Sequence, residues 1–103
     1  MLTVNRLASV AAAIGEPARA AMLDQLMSGR AYTAGELARF AGVSPATTTG
    51  HLIRLKQEGL IVEARQGRHR YYAIASSEVA SSLEALMVIA HARDVVSPAT
   101  ARA

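Results

Sequence analysis

One stretch, SPATTTGHLIRLKQE, combines a helix-start signal with side chains that can contact a polyanion. The side chain of Ser44 can accept a hydrogen bond from a free backbone N–H, and Pro45 suits the first helical turn. On a helical wheel Thr48, Leu52 and Leu55 share one side, which we expect to face the core. The candidate contact residues lie on the other sides of this helix: Ser44, Ala46, Thr47, Thr49, Gly50, His51 and Arg54.

These residue types suit a helix inserted in the major groove of DNA. The groove is about 12 Å wide, so small side chains let the helix backbone come close. Threonine hydroxyls can contact phosphates or base edges, a threonine methyl can contact a thymine methyl, and Arg54 can reach a guanine edge or a phosphate. The alternative interpretation is a plain polar surface on a core helix.

A basic segment overlaps the end of this helix and continues beyond it. Residues 54–70 hold five of the eleven Lys and Arg residues against two acidic residues, while the other 86 residues hold six of each. Essentially all of the net charge of +3 therefore lies here. The segment predicts phosphate or minor-groove contacts, although a solvated basic turn is the alternative. The candidates are Arg65, Arg68, His69 and Arg70.

Several elements must position these residues. LTVNRLASVAAAI and ARAAMLDQLMS have apolar residues at helical spacing. Thr33 with Glu36 predicts a capping box that opens a third, short helix, which ends at Gly42. The fourth helix covers residues 44–58. LIVEA and RYYAIA favour strands around the turn QGRH, so they predict a hairpin with its basic tip at residues 65–70.

The hairpin is followed by a last amphipathic helix, SEVASSLEALMVIAHARD. The predicted order is α-α-α-α-β-β-α, mainly α with a β-hairpin (α+β), which is a winged helix-turn-helix. In the hairpin we expect Leu60, Val62, Tyr72 and Ile74 to face inward. We expect one DNA-binding and dimerisation domain over residues 1–96 and a flexible tail over 97–103, although the chain could be part of a longer regulator.

Composition excludes several function classes. The chain has no cysteine, which excludes disulfides, thiolate zinc sites and cysteine nucleophiles. No motif brings a nucleophile, a base and an orienting group together, so we expect neither an enzyme nor a cofactor. There is no signal peptide and no apolar run of the roughly 18 residues that span a bilayer, so we expect a cytoplasmic protein without a membrane partner.

Three segments taken together resemble the ArsR-type (ArsR/SmtB) winged-helix transcriptional regulators over roughly residues 7–90. They are IGEPARAAMLDQL, ELARFAGVSPATTTGHLIRLKQEGLI and EARQGRHRYYAI. The resemblance implies a homodimer that represses nearby genes by binding a palindromic operator in double-stranded DNA. It also implies that the first and last helices form the interface, with Leu7, Val10, Ile14, Leu83, Leu86 and Met87 as candidates. Gly50 departs from the family pattern on the DNA side.

Many members of this family sense metals, and the family's metal motifs are incomplete here. Ala38 and Phe40 stand where the third-helix motif places cysteines. In the last helix only Glu84, His91 and Asp94 offer ligands, and they define a possible intersubunit metal or pH-sensitive site. A half-exposed histidine near a dimer seam is the favoured interpretation of these residues.

The sequence therefore predicts a dimeric, sequence-specific DNA-binding regulator that acts as a repressor. Two alternatives stay open: a repressor gated by a metal or small molecule at the last helix, and a winged helix used as a protein-interaction module. The sequence identifies neither the operator nor an effector.

Overall fold

The computed structural model describes residues 2–95, with side chains as far as residue 93. The expected domain end at residue 96 and the expected flexible tail at 97–103 lie outside the described residues. The elements are α1 (Leu2–Ile14), α2 (Pro17–Leu26), β1 (Tyr32–Thr33), α3 (Ala34–Ala41), α4 (Pro45–Gln57), β2 (Ile61–Gln66), β3 (His69–Ile74) and α5 (Ser77–Val95). The helices and the hairpin confirm the predicted order.

Local capping signals fix the helix pair α3–α4. The capping box is present as predicted: Glu36 N donates to Thr33 Oγ1 at 3.2 Å, and Thr33 N donates to Glu36 Oε1 at 2.9 Å. Gly42 ends α3 with a φ of 68°, in the left-handed region that favours glycine. Ser44 then caps α4, so the turn between the two helices is only three residues long. This is the tight geometry of a helix-turn-helix.

The sheet has three strands in the order β1-β3-β2, with both pairings antiparallel. The two-residue strand β1 was not predicted. It pairs Tyr32 with Tyr72 and Thr33 with Tyr71, which are about forty positions away along the chain. The pairing anchors the base of the hairpin to the entry of α3. The hairpin is therefore fixed relative to the helix-turn-helix.

The core lies where α2, α3, α4 and the base of the hairpin meet. The most completely buried large side chains come from the three helices: Met22, Leu23, Leu26, Leu37, Thr48 and Leu55. In the hairpin, Leu60 and Tyr72 are buried as predicted, but the inward placement of Val62 is wrong. Ile61 is buried instead, because β2 begins at Ile61 and successive side chains of a strand point to opposite faces.

The last helix, α5, is attached to this core at few points. Among its described side chains only Leu83 is buried, at 3% exposure, within the core of this same chain. The prediction that Leu83 lies in the dimer interface is therefore corrected: its side chain is already covered inside one chain. In the described part of the chain, no helix is both long and apolar enough to cross a membrane.

Candidate nucleic-acid interface

The start of α4 is held by its own serine and threonine side chains. Thr47 N donates to Ser44 Oγ at 3.2 Å, and the Ser44 hydroxyl donates to Thr47 Oγ1 at 3.0 Å. Thr48 is buried, and its hydroxyl donates to the Ser44 carbonyl oxygen at 2.9 Å. The predicted inward side of the helix is confirmed, since Leu52 and Leu55 are also buried.

The outward face of α4 consists of Ala46, Thr49, Gly50 and Ile53, which are all exposed. The Thr49 hydroxyl donates to the Pro45 carbonyl oxygen at 3.1 Å, so its proton is already used within the helix. A β-carbon placed at Gly50 would meet no atom within 4 Å. Packing within the chain therefore does not require a glycine here. Its effect is that no side chain projects from the helix at this point, so the backbone of α4 is accessible.

Arg54 does not lie on this outward face, where the helical wheel placed it, but is half-buried against α1. Its Nη2 donates to the carbonyl oxygen of Ser9 in α1 at 3.1 Å and lies 3.4 Å from Ser9 Oγ. The Ser9 hydroxyl in turn donates to Glu58 Oε1 at 2.9 Å. The wheel gives the angle of a side chain about its own helix, but it does not show that α1 lies against that edge. We call this set, Ser9, Arg54 and Glu58, the α1–α4 seam.

His51 is also turned inward, toward the start of α2. Its Nδ1 lies 3.1 Å from Arg19 Nη1. Because a guanidinium can only donate, Nδ1 is the acceptor in this contact, while Nε2 lies 3.6 Å from Glu16 Oε2. Arg19 also donates to the carbonyl oxygens of Ala12 and Ala13 at the end of α1. His51 thus joins α4 to the junction of α1 and α2 rather than standing on the predicted DNA side.

The wing is a hairpin closed by two residues, Gly67 and Arg68, between the paired Gln66 and His69. Gly67 has a φ of 63°, while no non-glycine residue of the described chain has a positive φ. A positive φ at the first central position only is the pattern of a type II′ turn, which matches the twist of the two strands. The four predicted wing residues Arg65, Arg68, His69 and Arg70 are all exposed at or beside this tip.

A groove of about 580 Å³ separates α4 from the wing. Thr49 and Ile53 line it from the helix, while Arg68, His69 and Arg70 line it from the wing. The groove thus brings predicted residues from both segments onto one surface. Other lining residues were not among the predicted contacts, and Ile53 and Lys56 of α4 are two of them. Ile53 lies one helical turn after Thr49, and this spacing was a signal in the sequence that could have identified it.

Charges in the groove are organised by Glu63 of β2. Its carboxylate lies 3.0 Å from Lys56 Nζ and 3.7 Å from Arg70 Nε. The hydrogen bond from Lys56 is the main cause that holds the pKa of the Glu63 carboxyl below its ordinary value of 4.5. Burial and the neighbouring Glu63 raise the pKa of the Tyr72 hydroxyl above 10.0. Within the described residues Arg65 and Arg68 form no ion pair, so they are free to contact an anion.

The other predicted positions lie on α1 and α5. Leu7 is 67% exposed and Leu86 47% exposed, whereas Val10 and Ile14 pack partly against the core and Met87 is half-buried. Further exposed apolar side chains that the sequence analysis did not select lie on the same two helices: Leu2, Val4, Val88 and Ile89. Apolar surface therefore continues along both helices.

The possible metal ligands are only partly covered by the structure. Glu84 and His91 are exposed on α5, and the side chain of Asp94 lies outside the described residues. Among described side chains no group of three or more His, Cys, Asp or Glu residues could hold a metal ion.

Comparisons with known proteins agree with this geometry. A family model described as a helix-turn-helix domain matches residues 14–64. YdfF of Bacillus subtilis, an uncharacterized HTH-type transcriptional regulator, is 40% identical over 84 residues, which are 82% of this chain and 37% of that relative. The matched region thus spans little more than a third of that relative's length. CmtR of Mycobacterium bovis, an HTH-type transcriptional regulator, is 34% identical over 97 residues, which are 94% of this chain and 81% of CmtR.

A solved structure with a TM-score of 0.80 and 28% identity is similar over 87% of this chain and 82% of its own. It is the homodimeric winged helix-turn-helix DNA-binding domain of a possible ArsR-family transcriptional regulator from Mycobacterium bovis. The reduced form of HlyU from Vibrio cholerae shares the fold, with a TM-score of 0.74 at 22% identity over 84% of this chain and 90% of that one. From its sequence relatives and its fold, the chain belongs to the ArsR-type family of winged helix-turn-helix transcriptional regulators.

Proposed function

We propose that the protein is a homodimeric, sequence-specific DNA-binding regulator that represses transcription by occupying a palindromic operator. The observation that carries the proposal is the single groove between the outward face of α4 and the basic wing. A helix with small side chains fits the major groove, while exposed cations beside it fit the phosphates. Both halves of that requirement are present on one surface.

The proposed DNA contacts follow from exposure. The helix contributes Ser44, Ala46, Thr47, Thr49 and Gly50, and the wing contributes Arg65, Arg68, His69 and Arg70. His51 and Arg54 are left out of the contacts and act as positioning residues, because His51 Nδ1 contacts Arg19 of α2 and Arg54 Nη2 donates to Ser9 of α1. The free N–H groups at the start of α4 are a further phosphate-binding feature of the helix.

Homodimerisation is supported by the apolar surface of α1 and α5. Leu2 is 78% exposed and Val88 68% exposed, and such side chains gain free energy when a second copy covers them. The similar domain from M. bovis is homodimeric by its own description. We assign Leu7, Val10, Ile14, Leu86 and Met87 to this interface. The two-fold symmetry of such a dimer matches a palindromic operator.

Repression follows from occupancy, since a dimer that covers an operator competes with the transcription machinery for the same DNA. The proposal places the protein in the cytoplasm, where that DNA lies, and it includes no effector.

Selection of genomic DNA fragments by the purified protein tests the proposal, followed by titration of the selected duplex at several salt concentrations. We expect inverted repeats whose half-sites lie about 10 base pairs, or a multiple of that, apart. We also expect the logarithm of the binding constant to fall linearly with the logarithm of the salt concentration. No enrichment of any duplex at low salt would contradict the proposal and favour the protein-interaction module.

A further inference from the structure

The outward face of α4 presents methyl groups and lacks the side chains that read guanine or adenine. Guanine is usually read in the major groove by Arg or Lys, and adenine by Asn or Gln. Between Ser44 and Ile53 the helix carries none of these four residue types. Its nitrogen-bearing side chain in this stretch is His51, which is held by Arg19.

The two cations that follow on α4 are engaged with the protein. Arg54 donates to Ser9 of α1, and Lys56 lies 3.0 Å from Glu63 of the wing. Breaking either contact to reach a base would leave Ser9 or Glu63 without that partner. Both cations are therefore committed to holding α4 in place rather than to reading a base edge.

The hydroxyl groups of the threonine run are largely engaged too. Thr48 donates its proton to the Ser44 carbonyl oxygen and Thr49 donates to the Pro45 carbonyl oxygen. Of the three threonines, Thr47 alone has a hydroxyl proton that no described residue accepts. Thr49 keeps its methyl group and an acceptor oxygen for an incoming ligand.

Two methyl-bearing side chains of this face also line the groove. Thr49 and Ile53 are one helical turn apart, both border the groove, and Ile53 is 52% exposed. Gly50 follows Thr49 and has no side chain, so the helix backbone is accessible at this point. The only apolar group that unmodified DNA offers in its major groove is the C5-methyl of thymine.

We infer that α4 selects its operator by contact of Thr49 and Ile53 with thymine C5-methyl groups. The inference rests on the proposed DNA-binding function and specifies the bases it reads. In this arrangement the wing cations supply affinity that is independent of the DNA sequence, and the methyl contacts supply the preference for thymine at particular positions.

The test removes the methyl group from the DNA and keeps base pairing intact. A random-sequence duplex library is selected with the full chain, and the most enriched duplex is then synthesised with each thymine replaced in turn by uracil. At one or two positions of each half-site we expect about fourfold weaker binding per methyl group, the factor for burying one such group. Replacement in both half-sites multiplies to about 15-fold.

Protein variants then locate the contact. Thr49→Ser removes one methyl and keeps the hydroxyl, and Ile53→Ala removes the larger apolar group. Both sites are exposed, so the variants keep the fold, which circular dichroism verifies. Each variant should abolish the uracil effect at its own thymine, so that the two deletions are not additive.

The outcomes separate the inference from the proposed function. Equal affinity for the thymine and uracil duplexes, with selective binding retained, overturns the inference and leaves the DNA-binding function standing. A uracil effect that persists unchanged in both variants overturns the assignment to Thr49 and Ile53. If no duplex is enriched at all, the proposed function fails and the inference fails with it.

Discussion

The edge of α4 that meets α1 and the face of α4 that borders the groove use polar residues in opposite ways. On the α1–α4 seam, Arg54, Ser9 and Glu58 form hydrogen bonds within the chain at 2.9 to 3.4 Å. On the groove face the exposed side chains are small or apolar, and Gly50 contributes none. The longest cation of the helix lies on the edge that holds the helix, not on the face that we propose reads DNA.

The difference shows that residue type alone does not assign a binding residue. An arginine on a proposed DNA-recognition helix is most often considered for base contact, yet a carbonyl oxygen within reach is a competing acceptor. Burial strengthens that competition, because a half-buried guanidinium that loses its acceptors is costly to leave unpaired. Positioning of the helix and recognition by the helix are therefore divided between its edges.

Arg54→Ala should have the largest effect. We expect a loss of about 1.5–2 kcal/mol in the free energy of unfolding, the lower part of the range for hydrogen bonds to charged groups, since Arg54 Nε is buried without a partner among the described residues. DNA affinity should fall for all duplexes alike, because the helix loses its placement rather than a base contact. Denaturant unfolding and competition binding measure the two effects.

Ser9→Ala is the matched control on the same seam. It keeps the carbonyl oxygen that accepts from Arg54 at 3.1 Å. It removes the hydroxyl that donates to Glu58 and lies 3.4 Å from Arg54 Nη2, so it should cost less than Arg54→Ala. If Arg54→Ala relaxed the preference at one base position and left the free energy of unfolding unchanged, Arg54 would be a base-reading residue. The division between a positioning edge and a reading face of α4 would then be contradicted.

Arg68→Ala sharpens the comparison on the wing. Arg68 is exposed and free of ion pairs among the described residues, so its loss should leave stability unaffected. We expect weaker binding to every duplex and a salt-dependence slope reduced by about 0.9, the value for one phosphate contact. Titrations at several salt concentrations measure it, and a loss confined to one sequence would argue against a phosphate contact.

Gly50→Ala tests whether the missing side chain at position 50 makes room for DNA against α4. The added β-carbon meets no atom of the chain, so we expect the variant to be more stable by about 0.5–1 kcal/mol, the usual helix gain. Operator affinity should nevertheless fall, because the backbone can no longer come as close to the DNA. Thermal unfolding and operator titration give the two numbers; unchanged affinity would mean that the glycine makes no room for DNA.

The smallest expected effect is the loss of folding stability in acid that comes from Glu63 of the wing. The lowered pKa of Glu63 means that its contribution to stability is present above the ordinary value of 4.5 and is lost as pH falls through the lower native value. Thermal unfolding followed with decreasing pH should therefore show a shallower loss in Glu63→Gln than in the natural chain. Glu84→Gln, on the exposed face of α5, is the matched control, because it removes a carboxylate that does not contact Lys56 or Arg70.

Local signals made much of the fold predictable. The capping box of Thr33 and Glu36 and the Ser44–Pro45 start act over three or four residues, so their consequences can be read directly from the sequence. The wheel also identified Thr48, Leu52 and Leu55 as inward, because burial of an apolar stripe depends mainly on helical period.

The errors came from contacts between distant parts of the chain. Strand β1 exists only because Tyr32 pairs with Tyr72, and two residues carry no periodicity by which a strand could be predicted. Arg54 turns inward because Ser9, 45 positions earlier, offers it a carbonyl oxygen. Leu83 shares the helical stripe of Leu86, but only tertiary packing decides that Leu83 enters the chain's own core. Which residues of the candidate site contact DNA stays a prediction.

Helix α1 has polar contacts on one side and exposed apolar side chains on another. It is a single helix of 13 residues, hence about 20 Å long, bonded to α4 through Ser9 and through the carbonyl oxygens that Arg19 holds. In the proposed dimer this helix acts as a strut between the subunit contact and the DNA-reading helix. The distance between the α4 helices of the two subunits is then set by α1. A small rotation of α1 at the subunit contact would therefore change the half-site spacing that the dimer can bind.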